Sequence, residues 1–258
     1  MKQIRWLGHA GFKISFSDPK NASIIRNVYI DTWLGNPLLP EDVKAAVPDD
    51  ADLIMATHGH FDHSGSCPDL LKNSKKEGAK IICNYEIAQY FTKTHGVPEG
   101  AICGMNKGGT LDFGFCTVTM VSADHSSGCL ADHGLVVGGE AAGFVITAHD
   151  FAIYHAGDTN VFGDMSIISE LYAPTHVLIP IGGHFTMGPN EAAYAVAKFL
   201  LSAKIVIPMH FGTFPLLKGT VEEFNKCLEK WSDEYKREPV KVINPHTLIA
   251  ALTDLPHL

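Results

Sequence analysis

The sequence predicts an α/β fold built as a layered sandwich, and three observations carry that reading. Short strand-like runs recur from the first residues onward, and helical periodicities are interspersed among the later ones. Metal-competent side chains fall repeatedly just past the ends of the strand-like runs. Loops that follow strands converge at one edge of a layered sheet, where open α/β folds place their sites. The chain has 258 residues, 46% of them apolar, enough to bury a substantial core. No linker or low-complexity segment divides it, so residues 1–258 read as a single domain.

Residues 3–7, 12–16 and 28–31 open the chain as strands, and the alternation of Phe12, Ile14 and Phe16 marks a half-buried antiparallel one. Further strands are expected at 52–57, 79–83, 115–122, 143–148, 151–156, 176–181 and 204–208. Helices are expected at 67–77, 85–94 and 164–172, and at 190–201, where Ala192, Val196, Phe199 and Leu200 share a face. A last helix starts at the capping box Thr220 to Glu223 and carries Val221, Phe224, Leu228, Trp231 and Tyr235 at helical spacing. The first half is antiparallel in character, and the later part alternates strand with helix. That mixture favours a layered sandwich over a parallel barrel. Residues 53–61 and 177–185 echo each other, each running from strand to loop to helix and ending in His-Phe.

The formal net charge is −8, from 20 basic and 28 acidic residues. The lysines near 72–80 and 226–241 alternate with acids on helical segments and read as solvated faces. Nucleic acid is therefore not an expected partner, because polyanion binding rests on clustered Lys and Arg. The longest apolar runs have five to seven residues, too short for a membrane span. The N-terminus carries no secretory pattern, and the six cysteines form no C-x-x-C pair. Reduced thiols and a cytoplasmic protein are expected; a homo-oligomer is compatible with all of this.

The segment His58-Gly59-His60-Phe61-Asp62-His63 places four metal-competent side chains within six residues, directly after the strand at 52–57. Later strand ends lead to His125, Asp158 and His210. The set suits two divalent ions, zinc first, with manganese or iron as alternatives. His58, His60 and His125 can hold one ion, Asp62, His63 and His210 the other, and Asp158 can bridge them. Ions about 3.5–4 Å apart share a hydroxide and clamp the attacking and leaving oxygens.

At this point the chain resembles the metallo-β-lactamase superfamily. His58 to His63 is similar to its H-x-H-x-D-H signature, and His125, the triplet Gly157-Asp158-Thr159 and His210 follow in the family's order. The resemblance implies a four-layered αββα sandwich with a dinuclear site at one sheet edge. Trp6-Leu7-Gly8-His9 and the run 181–188 are similar to a branch of small metal-dependent hydrolases related to L-ascorbate-6-phosphate lactonase. Aspartate at 158, where the superfamily's cysteine ligand would stand, argues for an all-nitrogen-and-oxygen site.

The expected function is hydrolysis of a small ester, lactone, amide or phosphodiester by a hydroxide bridging two metals. Asp62 and His184 are the catalytic candidates, His184 as proton donor or substrate contact. His9, Asp31 and Asp124 are candidates for substrate contact or for orienting a ligand histidine. His155 reads as structural, and His95, His133, His149, His176, His246 and His257 follow no pattern. The alternatives are a nuclease or phosphodiesterase acting on nucleic acid, and a non-hydrolytic metal-binding protein.

Overall fold

The structure is a computed structural model that describes residues 2–132, 134–149, 151–249 and the backbone of 253–254. His133 and His257 lie outside the described residues. Two seven-stranded sheets form its centre. The first contains β1 (Lys2–Trp6), β2 (Phe12–Asp18), β3 (Asn21–Ile30), β4 (Leu53–Met55), β5 (Lys80–Asn84) and β6 (Ile102–Met105) in that order, with β16 (Thr253–Asp254) outside β1. The second contains β7 (Thr110–Asp112), β8 (Thr117–Ser122), β11 (Ala142–Ala148), β12 (Phe151–His155), β13 (His176–Pro180), β14 (Ile205–Met209) and β15 (Lys241–Val242), again in order. A separate hairpin joins β9 (Gly128–Ala131) to β10 (Gly134–Val137). The helices are α1 (Glu41–Ala45), α2 (Phe61–Ser64), α3 (Cys67–Asn73), α4 (Tyr85–His95), α5 (Met165–Tyr172), α6 (Pro189–Lys198) and α7 (Val221–Tyr235).

The period-two rule for strands sorts the first sheet's side chains into two cores. Leu53 and Met55 of β4 enter the core shared with the second sheet, whereas Ile54 between them faces the helix side. Ile82 of β5 turns inward and its neighbours Ile81 and Cys83 turn out, onto a core that includes Leu70 of α3 and Ile87 and Phe91 of α4. β13 and β14 are buried at every position, as parallel strands covered on both faces are. Their outer cover includes Met165 of α5, Val196 of α6 and Phe224 of α7. The layers are therefore helix, sheet, sheet, helix, the αββα sandwich implied by the resemblance.

The two sheets repeat one pattern of strand pairing. From β1 and from β8, two antiparallel pairings are followed by three parallel ones. The echo between 53–61 and 177–185 falls on the corresponding strands β4 and β13. The expected helix at 67–77 stops at Asn73, and that at 190–201 stops at Lys198. The helices α1 and α2 were not foreseen, because five and four residues are too few to display a period. Thr220 caps α7 by accepting a hydrogen bond from the Glu223 amide. Among the described residues, no helix is long and apolar enough to cross a membrane.

Candidate metal centre

The shared pairing pattern runs β1, β3, β4, β8, β12 and β14 toward one edge, so the loops after them meet there. His9 follows β1, Asp31 follows β3, and the His58–His63 segment follows β4. His125 follows β8, Asp158 follows β12 and His210 follows β14. His60 has an extended backbone, and α2 starts immediately after it, with the amides of His63 and Ser64 bonded to the His60 carbonyl. That change of conformation brings all four side chains together: the His58 ring lies 4.5 Å from His60 and 4.2 Å from His63 between centroids.

Ligand atoms of His58, His60 and His125 lie within 4.8 Å of one another, as do those of His9, Asp62, His63 and His210. Asp158 stands between the groups, with Oδ1 3.4 Å from His63 Nε2 and Oδ2 2.9 Å from His210 Nε2 and 3.7 Å from His125 Nε2. His63 Nε2, His210 Nε2 and Asp158 Oδ1 are buried without a hydrogen-bond partner. Buried polar atoms are nearly always satisfied, and divalent ions shared by these donors would satisfy all three. The side chains present thus fit such ions. Sulfur does not enter the set: burial pushes the Cys129 thiol up to about 11, and it packs beneath Gly59.

Asp31 is fully buried and holds the motif from behind. It accepts the Thr57 amide at 2.8 Å and the Thr57 hydroxyl at 2.6 Å, and its Oδ2 lies 2.8 Å from His63 Nδ1. With the Nδ1 proton given to Asp31, the Nε2 lone pair of His63 is left facing Asp158. His9 is also fully buried, with Nε2 3.0 Å from Asp62 Oδ2 and Nδ1 2.5 Å from Thr213 Oγ1. Its carbonyl accepts the Trp6 indole N–H and the His210 amide, so the Trp6-Leu7-Gly8-His9 turn is stitched to the far ligand loop. Gly8 sits at φ +83°, and a Cβ there would meet Asn36 Oδ1 at 2.3 Å.

The electrostatics follow from burial and mutual charge. Burial lowers His58 well below 6.5, and lowers His60 and His125 in the same direction. Burial also lowers His9 to about 4, against the opposing pull of Asp62. For His63 burial is the largest single influence and acts downward, but Asp158, Asp31 and Asp62 together outweigh it and raise the group. Burial would raise Asp62 and Asp158; instead the neighbouring histidines hold Asp62 at about 2 and Asp158 well below 3.8. These shifts favour neutral His58, His60 and His125 and ionised Asp62 and Asp158 at neutral pH, the states that metal ligation needs, whereas the three carboxylates around His63 favour its proton, which a bound ion would have to displace.

Two further candidates lie outside the ligand groups. His184 is exposed, at φ +57° on the loop after β13, and its ring packs edge-on to Phe185 with centroids 4.5 Å apart. Phe185 lines the cleft above the ligand cluster, and His184 is its exposed neighbour in the chain. The Asp124 carboxylate lies 3.3 Å from Asn160 Nδ2, and its backbone N–H donates to Thr159 Oγ1. It ties together the loops of His125 and Asp158. His155 is structural as expected: Nε2 donates to the Ala10 carbonyl and Nδ1 accepts the Gly157 amide.

The cleft has a volume of about 550 Å³. His60, Asp62, His125, Asp158 and His210 line it together with Phe61, Phe214 and several leucines. Sequence reading did not find these apolar residues, nor Thr213. The signal for the leucines was present in two apolar runs flanking Asp132 and Gly134, a hairpin pattern.

Comparison with known proteins gives this arrangement its family. The model of the β-lactamase superfamily domain matches residues 26–211. A UPF0173 metal-dependent hydrolase of Koribacter versatilis is 44% identical over 88% of this chain and 91% of its own length. The structure of Igni18, a metallo hydrolase of the archaeon Ignicoccus hospitalis, is 30% identical and covers 95% of both chains with a TM-score of 0.72. YhfI of Bacillus subtilis, a metallo-β-lactamase fold protein, covers 95% of this chain and 98% of its own with a TM-score of 0.63; at 15% identity that is a likeness of fold alone. Fold, ligand order and relatives agree: the chain belongs to the metallo-β-lactamase superfamily, among its UPF0173 metal-dependent hydrolases.

Proposed function

We propose that this chain is a dinuclear hydrolase of a small ester, lactone, amide or phosphodiester. His58, His60 and His125 would hold one ion, Asp62, His63 and His210 the other, with Asp158 between them. The observation that carries this reading is the close packing of His63 Nε2, His210 Nε2 and Asp158 Oδ1, three buried atoms that make no hydrogen bond, beside the two ligand groups. When bound, divalent ions of the zinc, manganese or iron kind supply an ionised water at neutral pH and polarise the substrate oxygen.

The chain's own groups do the rest. Asp31 fixes the His63 tautomer, and His9 with Thr213 fixes the orientation of Asp62. Asp62 is held ionised beside His9 and His63, which suits it to serve as a ligand, and its Oδ2 faces His9 Nε2 at 3.0 Å. The apolar walls exclude water from the floor of the cleft and strengthen its electrostatics. A single domain, residues 1–258, would carry the whole site. The six cysteines, all free, agree with a reducing compartment and hence with the cytoplasm. No Lys or Arg lines the cleft, which speaks against nucleic acid as substrate.

The test is metal analysis of the purified protein followed by a hydrolysis panel with zinc, manganese and iron. Two equivalents of metal and turnover of at least one substrate class are expected, and Asp158→Ala should lose metal and at least 100-fold of kcat. A folded protein that binds a single ion, or whose turnover survives Asp158→Ala, would refute the dinuclear assignment.

A further inference from the structure

Large apolar side chains stand exposed around this cleft. Phe61 and Phe185 are each 50% exposed, Leu216 49%, Leu130 65% and Leu135 74%. With Phe214 they line the cleft, and they come from four separate segments: the start of α2, the β9–β10 hairpin, the loop after β13 and the loop after β14. Leu130 and Leu135 are directly paired across the hairpin, so they present one face. Exposed apolar surface concentrated at one place marks a binding site.

The polar lining is equally informative. Apart from the candidate ligands, Ser126 is the only polar side chain among the described residues lining the cleft, and none of these is Lys or Arg. A phosphate or a second carboxylate on the substrate would find no cation along these walls, while the floor holds the Asp62 and Asp158 carboxylates. An apolar group would find several aromatic and aliphatic partners.

We infer that the substrate is a neutral carboxylic acid derivative, an ester, lactone or amide, carrying an apolar acyl or aryl group that lies along Leu130, Leu135, Phe185 and Phe214 while its scissile carbonyl reaches the floor. This rests on the hydrolase reading and narrows it: substrates carrying a phosphate or another anion away from the scissile group fall outside the class.

The walls can be tested without metal. Chelator-treated protein is titrated calorimetrically with straight-chain primary amides of four, six and eight carbons and with alkyl phosphates of the same lengths. Binding of the amides should tighten about two- to fourfold per added methylene, and the phosphates should bind more weakly at each length. Leu130→Asp and Leu135→Asp, both on the exposed face of the hairpin and checked for fold by circular dichroism, should flatten the amide series. A flat series in the unaltered protein, or tighter binding of the phosphates, overturns the inference. So does a dimer that Leu135→Asp dissociates, accompanied by a flat series, since the apolar face would then serve self-association. Zinc-loaded protein assayed on acyl esters of the same lengths separates the two claims. A steep binding series with no hydrolysis sinks the hydrolase reading and keeps the apolar cleft. Hydrolysis that favours short polar esters, with a flat series, does the reverse.

Discussion

At Asp31 one carboxylate serves three hydrogen bonds, to the Thr57 amide, the Thr57 hydroxyl and His63 Nδ1. Neither oxygen is free to turn, so the His63 ring is fixed with Nε2 toward Asp158. Asp31→Asn keeps the shape but cannot accept at both oxygens. Zinc affinity, measured against a competing chelator, should fall about 10- to 100-fold. Unchanged affinity would reduce Asp31 to a strand-end residue. Asp31 was legible as a candidate because it closes a strand-like run, the same cue that pointed to Asp124 and His184. The cue says which edge a residue occupies and nothing about ring direction. That depends on local dihedrals, such as φ +46° at Asp31 and +57° at His184, which a sequence does not display.

Among the elements, β12 shows how a strand can aim a ligand. His155, its last residue, is fully buried and bonds the Ala10 carbonyl through one ring nitrogen and the Gly157 amide through the other. The turn that presents Asp158 is thereby tied to the β1–β2 connection. Accepting the Gly157 proton requires a neutral ring, and burial lowers the His155 pKa below 6.5. The unfolded chain therefore takes up the proton first as pH falls. Stability owed to this residue is complete above about 6.5 and drains away below it, toward the lowered folded value. His155→Gln can donate and accept but does not titrate in this range. The Tm gap between the native protein and this variant, measured by calorimetry, should be widest at pH 7 and narrow by pH 5. A gap constant with pH would mean that His155 is not held neutral. The strand itself was readable from its apolar run; the partner Ala10, 145 positions away, was not.

Across the whole molecule, two sheets with one pairing pattern place six strand ends at a common rim, and the candidate ligands arrive from both halves of the chain. Ions held there join the halves, so the metal should act on global stability. At free zinc about 1,000-fold above the Kd, the folded state gains about 4 kcal/mol, and chelation should lower the Tm by roughly 10 °C. Calorimetry with and without chelator measures this, and an unmoved Tm would mean that the rim holds no ion. The ligand roster was legible because H-x-H-x-D-H is local and its partners follow strand-like runs. The layered α/β class was legible because antiparallel strand patterns give way to alternating strand and helix, and the four-layered arrangement followed from the resemblance carried by the ligand motif.

By itself, then, the sequence determined the longer apolar strands, though not the short β6, β7, β9, β10, β15 and β16, together with the order of the candidate ligands and the family, since each of these is written in short-range pattern. Tertiary structure decided what those patterns leave open. It brought His9 against Asp62 across 53 positions, set the exposed His184 ring edge-on to Phe185, and gathered apolar side chains from four segments into the walls above the candidate ligands. The physical reason is the same in each case. Period and spacing constrain a residue's face on its own element, whereas its neighbours are set by how distant elements pack and by the few backbone dihedrals between them.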